Sequence, residues 1–412
     1  MRQERSGTAP TVRGWAFAVV GAAAVVAGAS LGRPELFAVG AFGIVLMLAS
    51  LGLVLLRTPT LEMVQRLHPP LPQAGSSARA ALTVRNVGGR RGGAAQWSRP
   101  LPWPAVEPSG AFPALAAGES VEIEMELAPP RRGAFPLGPT LLVVEGAFGL
   151  ARARRWIGEE TEITVVPSVV PLGSATLPMA AGQGEASLVQ RRAVGDEDDV
   201  ITREYRRGDA MRRVHWRSTA RHGELMVRQE EQRSHPEARI LVDTLASGHP
   251  DGDEGFEWMV SMLASAALHL RSHGFEVRVT ETGTPQLGSE AMADDAHLLI
   301  ELAHLDVADR SELDDAVADR AGIVVALAAV PDDRTVEWRL LPTAPGQPAV
   351  VFLVRSTNVL DAVQRGLGEG FQTAPPVDPF VDAGWTVVPL PSDEDPAHAW
   401  RVVSLMTENG RG

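Results

Sequence analysis

Between Glu204 and Leu225 the sequence reads EYRRGDAMRRVHWRSTARHGEL, a run of arginines around the only tyrosine of the chain, Tyr205. Gly208 and Asp209 read as a turn and a helix N-cap, with the Asp209 carboxylate accepting the first free backbone N–H groups. A short helix is expected from about Ala210 to Arg221, stopped by Gly223, with Glu224 to Gln229 resuming as a strand. On that helix Arg213, Arg217 and Arg221 fall at i, i+4 and i+8, along one stripe. Like charges at this spacing destabilise an isolated helix by ~0.2–0.5 kcal/mol per pair, so an acidic partner is expected.

The partner can be internal. Asp196, Glu197, Asp198 and Asp199 lie just upstream, and Glu204, Asp209 and Glu224 lie within the stretch. The planar fork of arginine suits such carboxylate networks. On this reading Tyr205, Asp209, Trp216 and Arg221 form a structural clamp at the ends and on the packed side of the helix. Arg213 and Arg217, on its open side, are left for contact with an acidic protein face, a phosphate or a lipid headgroup.

Other chemistry is poorly supplied. The chain has no cysteine, which excludes disulfides, thiolate metal sites and cysteine nucleophiles. His215 and His222 lack the spacing or companions of a metal site. Gly28-Ala29-Ser30-Leu31-Gly32 has the G-x-S-x-G form of a nucleophile elbow, but it ends an apolar helix instead of joining a strand to a helix. Arg207-Gly208-Asp209 is a chance adhesion tripeptide in a segment expected to face the cytoplasm. A formal net charge of −13 opposes general nucleic-acid binding, which needs a positive face.

The elements that must position these residues fall into distinct regions. Trp15 to Leu31 and Leu36 to Leu56 are apolar and uncharged, near the ~20 residues that a bilayer core requires. Only Gly32-Arg33-Pro34-Glu35 separates them, so residues 1–57 are expected to form a transmembrane helical hairpin, meeting lipid through residues 15–56. Arg2, Arg5 and Arg13 precede it and Arg57 and Arg66 follow it, which places both ends in the cytoplasm. Residues 58–168 carry short alternating runs (ARAALTVRN, VEIEMEL, TEITVVP) between Pro/Gly clusters, the pattern of a β-sandwich. Residues 169–200 read as a linker. Residues 201–412 alternate buried strands (ARILVD, FEVRVTET, GIVVALAAV, AVVFLVRS, WTVVPLP) with amphipathic helices, as in an open, mostly parallel α/β sheet of Rossmann type. The fold class expected is therefore multidomain: an α-hairpin, a β-sandwich, then α/β.

The arginine-rich stretch resembles the signature of the bacterial domain-of-unknown-function 58 family, R-x-Y-x-x-G-D-x-x-R-x-I-H-W-x-x-S/T-A-R. The match runs through Arg203, Tyr205, Gly208, Asp209, Arg212, His215, Trp216, Thr219, Ala220 and Arg221, with Val214 where isoleucine is usual. Upstream, RRGAFPLGP and EGAFGL resemble the family's R-G-x-Y-x-L-G-P and D-P-F-G-L elements, with Phe135 replacing the tyrosine and Gly146-Ala147 the Asp-Pro pair. The resemblance implies a membrane hairpin, a β-sandwich and a von Willebrand factor A-like α/β domain, often encoded beside a MoxR-type AAA+ ATPase, with no enzymatic activity attached. In related A domains a D-x-S-x-S loop binds a divalent cation. Here the matching residues are DTLAS, with Asp243 and Ser247 kept and Leu245 in place of the first serine. An apolar side chain supplies no oxygen ligand, so that loop is degenerate and no metal or other cofactor is expected.

These readings together lead to a membrane-anchored, non-enzymatic adaptor that presents a cytoplasmic A-like domain to a MoxR-type ATPase, at the bacterial cell membrane. The alternatives are a metal-dependent enzyme using Asp243 with neighbouring acids, and a binder of anionic lipid or nucleic acid through the arginine stripe. Leu245 weighs against the first and the net charge against the second.

Overall fold

The computed structural model describes residues 6–173, 202–204, 216–228, 237–246, 249, 253–288, 291, 293–309, 322–328, 349–355 and 378–409. Two compact units separate: residues 1–168 with 296–304, and residues 169–295 with 305–412.

In the first unit, α1 (Val12–Ser30) and α2 (Pro34–Arg57) form an antiparallel pair, each long and apolar enough to cross a membrane. Thr11 caps α1 by accepting from the Gly14 N–H at 3.1 Å. Pro34 opens α2, where its missing N–H costs nothing. The buried residues of α1 are Gly14, Gly21 and Gly28, and those of α2 include Gly40, Met47 and Val54. Both sets repeat every seven residues, the spacing that keeps one seam facing its partner along a supercoiled pair. Small residues let the backbones close in: a Cβ on Gly40 would stand 2.5 Å from the Gly21 carbonyl oxygen and 2.7 Å from the Val25 nitrogen.

Antiparallel sheets follow. One runs β2 (Leu61–His68), β3 (Ala78–Asn86), β6 (Ser120–Leu127). The other runs β1 (Gly7–Pro10), β9 (Ala151–Ile157), β8 (Thr140–Glu145), β4 (Ala95–Ser98), β5 (Ser109–Phe112). A short pair, β7 (Gly133–Leu137) with β10 (Thr161–Val165), completes the set. β3 shows why these residues make a half-covered strand: alternate positions from Ala78 to Asn86 are buried. The sheets share one core, with Leu82, Trp97, Leu127, Leu142 and Ala153 among its members. Arg99 is buried in this unit, donating to Gln65 and, at 3.2 Å, to the Leu137 carbonyl. Burial pushes its guanidinium down to about 10.

The sequence pattern did not indicate two features of this unit. Residues 7–10, ahead of the hairpin, form strand β1, paired antiparallel with β9 from Gly7↔Arg154 to Pro10↔Ala151. The last turns of α2 also belong to the domain core: Val54 is 1% exposed and packs with the sheet residues. The turn Gly146–Leu150 between β8 and β9 is held against both helices. The Ser50 hydroxyl donates to the Ala147 carbonyl at 3.1 Å, and the Thr11 N–H donates to the Leu150 carbonyl at 2.9 Å.

The second unit holds a five-stranded parallel sheet. Its strands are β13 (Glu237–Val242), β14 (Glu276–Glu281), β15 (Ile323–Ala328), β16 (Ala349–Arg355) and β17 (Thr386–Pro391), in the order β14-β13-β15-β16-β17. Every residue of β15 is buried, as expected where both faces of a parallel sheet are covered. Helix α4 (Asp253–Ser272) packs on the sheet and is followed by Gly274 at φ 85°, the left-handed position a helix end commonly uses. Helices α6 (Asp378–Asp382) and α7 (Pro396–Asn409) pack on β17. Trp400 of α7 stacks on Phe352 of β16, with centroids 6.4 Å apart and planes at 14°. Helix α5 (Asp295–His304) lies in sequence between β14 and β15. Among the described residues the expected alternation of strands and helices is present. The run NVLDAVQRGLGEG (358–370), whose pattern reads as a helix, and most of the expected linker lie outside the described residues.

Candidate functional site

Counted within its own domain, the sheet order is 2-1-3-4-5. The chain leaves β13 for β14 on one side and returns to β15 on the other, so the carboxyl ends of β13 and β15 border a topological switch point. Ligands bind at that place in open α/β sheets. The residues there are Asp243, Thr244 and Leu245 after β13, and Glu281 and Thr282 at the end of β14, where Glu281 is in register with Val242.

All five are buried, with Asp243 1%, Thr244 0% and Thr282 1% exposed. The Thr282 hydroxyl donates to Asp243 Oδ1 at 2.7 Å and accepts from the Thr244 N–H at 2.9 Å. Oδ1 also accepts from the Leu245 N–H at 3.2 Å. The Gly283 N–H donates to Thr244 Oγ1 at 3.0 Å, and the Asp243 N–H donates to the Leu327 carbonyl at 2.9 Å. His249 Nε2 lies 2.8 Å from the Asp243 carbonyl oxygen, and its ring meets Phe256 edge-on at 5.1 Å. Two threonines thus lock the Asp243 loop to the β14 loop.

Glu281 is a second buried acid, 7% exposed, whose Oε1 accepts from the Gln286 and Leu287 N–H groups at 2.9 Å each. Burial pushes its carboxyl above the ordinary range, and the bonds from Leu287 and Gln286 pull the other way.

The fit to a divalent cation of the A-domain type is poor. Leu245 is 6% exposed, bridges Ala308 as an isolated parallel pair, and offers no oxygen from its side chain. Asp243 Oδ1 is already engaged by Thr282 and Leu245. Ser247 and Asp251 lie outside the described residues, and Glu254 is exposed. Among the described residues, no group of three or more His, Asp or Glu side chains is placed to hold a metal ion.

The signature segment is described in part. Strand β11 (Thr202–Glu204) pairs antiparallel with β12 (Met226–Arg228), matching Arg203 to Val227. Helix α3 (Trp216–His222) precedes β12, ended by Gly223 at φ 77°. The Thr219 hydroxyl accepts from the Met226 N–H at 3.0 Å and ties helix to strand. Tyr205, Gly208, Asp209 and Arg213, and with them the expected start of the helix at Ala210, lie outside the described residues. Arg203 lies in β11 and Arg217 in α3. Ala220 and Arg221 are exposed. Trp216, expected on the packed side, is 66% exposed. Helical side chains lean towards the N-terminal end, and this one opens the helix and meets solvent there.

Sequence reasoning singled out Asp243 and missed Thr244, His249, Glu281 and Thr282. The signal available was positional: a Glu-Thr pair directly after the alternating run Val277 to Thr280, at the carboxyl end of a strand beside the Asp243 strand.

Compared with known families, the model described as protein of unknown function DUF58 matches residues 201–279, which supports the resemblance carried by the signature. No curated protein matches the chain. Among solved structures, the CARDB domain of the PF1109 protein from Pyrococcus furiosus, in complex with di-metal ions, is 14% identical over 24% of this chain and 94% of that one, with a TM-score of 0.19. β-Glucosidase 3B from Thermotoga neapolitana, in complex with glucose, is 19% identical over 26% of this chain and 17% of that one, with a TM-score of 0.13. The alkylpurine DNA glycosylase AlkC from Pseudomonas fluorescens, bound to DNA containing an abasic site analog, is 13% identical over 36% of this chain and 44% of that one, with a TM-score of 0.19. At TM-scores this low none of them bears on the fold or function of this chain.

Proposed function

We propose that this chain is a membrane-anchored, non-enzymatic adaptor of the bacterial cell membrane that offers its cytoplasmic α/β domain, of von Willebrand factor A-like type, to a MoxR-type AAA+ ATPase. The observation that carries the reading is the continuity of α2. One helix runs from a bilayer-length apolar span into the core of the antiparallel domain, where Val54 is 1% exposed. Anchor and domain are therefore one rigid piece, as a scaffold requires and a flexible tether does not provide. The family match over residues 201–279 supports the resemblance on which this reading rests. The buried threonine bonds at the end of β13 and β14 engage Asp243 Oδ1, and Leu245 offers no oxygen beside it. The exposed Trp216 offers an aromatic of the kind that dominates protein interfaces. In this reading Arg213 and Arg217 contact the partner, and Tyr205, Asp209 and Arg221 hold the segment together.

The test is crosslinking in intact membranes, affinity isolation of the chain and mass spectrometry of what is joined to it. An AAA+ ATPase is the expected product, joined through residues near 203–221. The crosslink is expected to fall in Arg213→Ala and Arg217→Ala chains of unchanged melting temperature. Isolation without any AAA+ ATPase sinks the adaptor reading.

A further inference from the structure

The turn between β8 and β9 carries a residue with no packing role in its own domain. Phe148 is 75% exposed and sits at φ 57°, ψ 13°, the left-handed region that a bulky side chain occupies only at a cost. No other non-glycine residue has positive φ among the described residues. The turn around it is firmly held. Ser50 donates to the Ala147 carbonyl, the Thr11 hydroxyl to the Gly149 carbonyl, and a Cβ on Gly14 would clash with the Leu150 carbonyl. A Cβ on Gly146 would stand 2.6 Å from Val54 Cγ2 and 2.7 Å from Ser50 Oγ.

Those contacts fix the height of the turn on the hairpin. Ser50 lies six residues before Leu56, about 9 Å further along the helix towards the bilayer at 1.5 Å per residue. Exposed apolar side chains flank that level on α2: Leu48 on one side at 56%, Leu55 and Leu56 on the other at 56% and 61%. On α1 the same level carries Val12 at 87% and Trp15 at 59% exposed. A Cβ on Gly149 would stand 3.9 Å from an Arg13 guanidinium nitrogen, so a cation lies next to the turn.

We infer that the turn Gly146–Leu150 is a third membrane-contacting element, which inserts the Phe148 ring into the interfacial region of the same leaflet that the hairpin enters. The occupant is lipid, since the ring shares its level with side chains that only a bilayer would cover, and aromatic rings at that depth anchor a protein against tilt. This rests on the membrane-spanning reading of α1 and α2. A turn pinned to both helices by three hydrogen bonds converts the anchoring of one ring into a fixed orientation of the whole antiparallel domain against the membrane.

The absence of cysteine makes the test direct, because one introduced cysteine takes one spin label. Full-length Phe148→Cys, Val45→Cys and Val106→Cys chains are placed in nanodiscs of phosphatidylethanolamine and phosphatidylglycerol. Collisions of each label with oxygen and with a water-soluble nickel chelate then report its depth. Val45, on α2, is the deep reference and Val106, 93% exposed in a loop, the aqueous one. The expected result is loss of chelate access at position 148 relative to Val106, at a depth short of Val45. An Ala147→Cys label in the same turn reads the same depth if the Phe148→Cys chain fails to fold. Chelate access at 148 or 147 equal to that at Val106, with Val45 deep, overturns the inference and leaves the hairpin standing. A Val45 label that is itself open to the chelate overturns both.

Discussion

The Thr282 hydroxyl donates to Asp243 Oδ1 at 2.7 Å while accepting from the Thr244 N–H at 2.9 Å, so one side chain joins the ends of β13 and β14 through two buried bonds. Thr282→Val keeps the shape and removes both. Leaving a buried donor or acceptor unsatisfied costs ~1–3 kcal/mol for each group. The variant is expected to lower the stability of the α/β domain by that order, read as an earlier transition in chemical denaturation. A Thr282→Val chain as stable as the parent contradicts this bonding.

The stability contributed by Glu281 is expected to depend on pH in a defined direction. Burial raises its carboxyl above the ordinary range, so the folded chain holds this proton more tightly than the unfolded chain. Its contribution is complete below the ordinary carboxylate range and is lost as pH rises through the raised folded value. Glu281→Gln cannot titrate, so its denaturation midpoint should vary less across the mildly acidic window. Parallel pH profiles for parent and variant count against the shift.

Divalent metal is expected to bind weakly at the β13 loop, because Leu245 stands where an oxygen ligand is needed and Asp243 Oδ1 is engaged. Calorimetry with Mg²⁺ and Mn²⁺ on the full chain should show no heat that depends on Asp243. A tight site abolished in Asp243→Ala would restore the metal-dependent enzyme as the better reading.

Gly40→Ala should separate the hairpin helices, since its Cβ would stand 2.5 Å from the Gly21 carbonyl oxygen. Overpacking of this kind costs ~1–3 kcal/mol. Gly52→Ala on the same helix meets no heavy atom within 4 Å and should be neutral or slightly stabilising. Thermal melting in nanodiscs distinguishes them, and equal melting for the two variants means the close seam is not formed.

The pairing of β1 with β9 puts both ends of the hairpin on one side of any membrane it crosses. Topology reporters fused before Gly7 and after Gly412 should both signal from the cytoplasm, and one inserted at Gly32 from the opposite side. Signals from opposite sides for the two fusions would break the hairpin reading.

Legibility in the sequence followed the length of each pattern. The spans are readable because some twenty consecutive apolar residues have few soluble uses, and β15 is readable because Ile323 to Ala328 is an unbroken apolar run. Strand β1 is not: Gly7-Thr8-Ala9-Pro10 has no alternation, and a proline at its end is tolerated only because the strand lies at a sheet edge. The first turn of α1 was missed because Arg13 and Gly14 look like a flank, whereas Gly14 is the close approach to the Leu150 carbonyl. Asp243 was found through a resemblance, and Glu281 and Thr282 through neither pattern nor motif. Their role comes from strand register, which brings together residues that are far apart in the chain.

That β1 pairs with β9 also sets an order of assembly. Thr11, next to β1, bonds the Gly149 carbonyl across 138 residues of chain. During synthesis residues 7–10 leave the ribosome long before residues 151–157 exist, with both apolar helices emerging in between. The edge strand has to wait, unpaired, while the two apolar helices of the hairpin are made and packed. The sheet then closes by capturing its own leading segment. If the hairpin spans a membrane as proposed, any delay in its insertion leaves that segment and the open edge of β9 to find other partners.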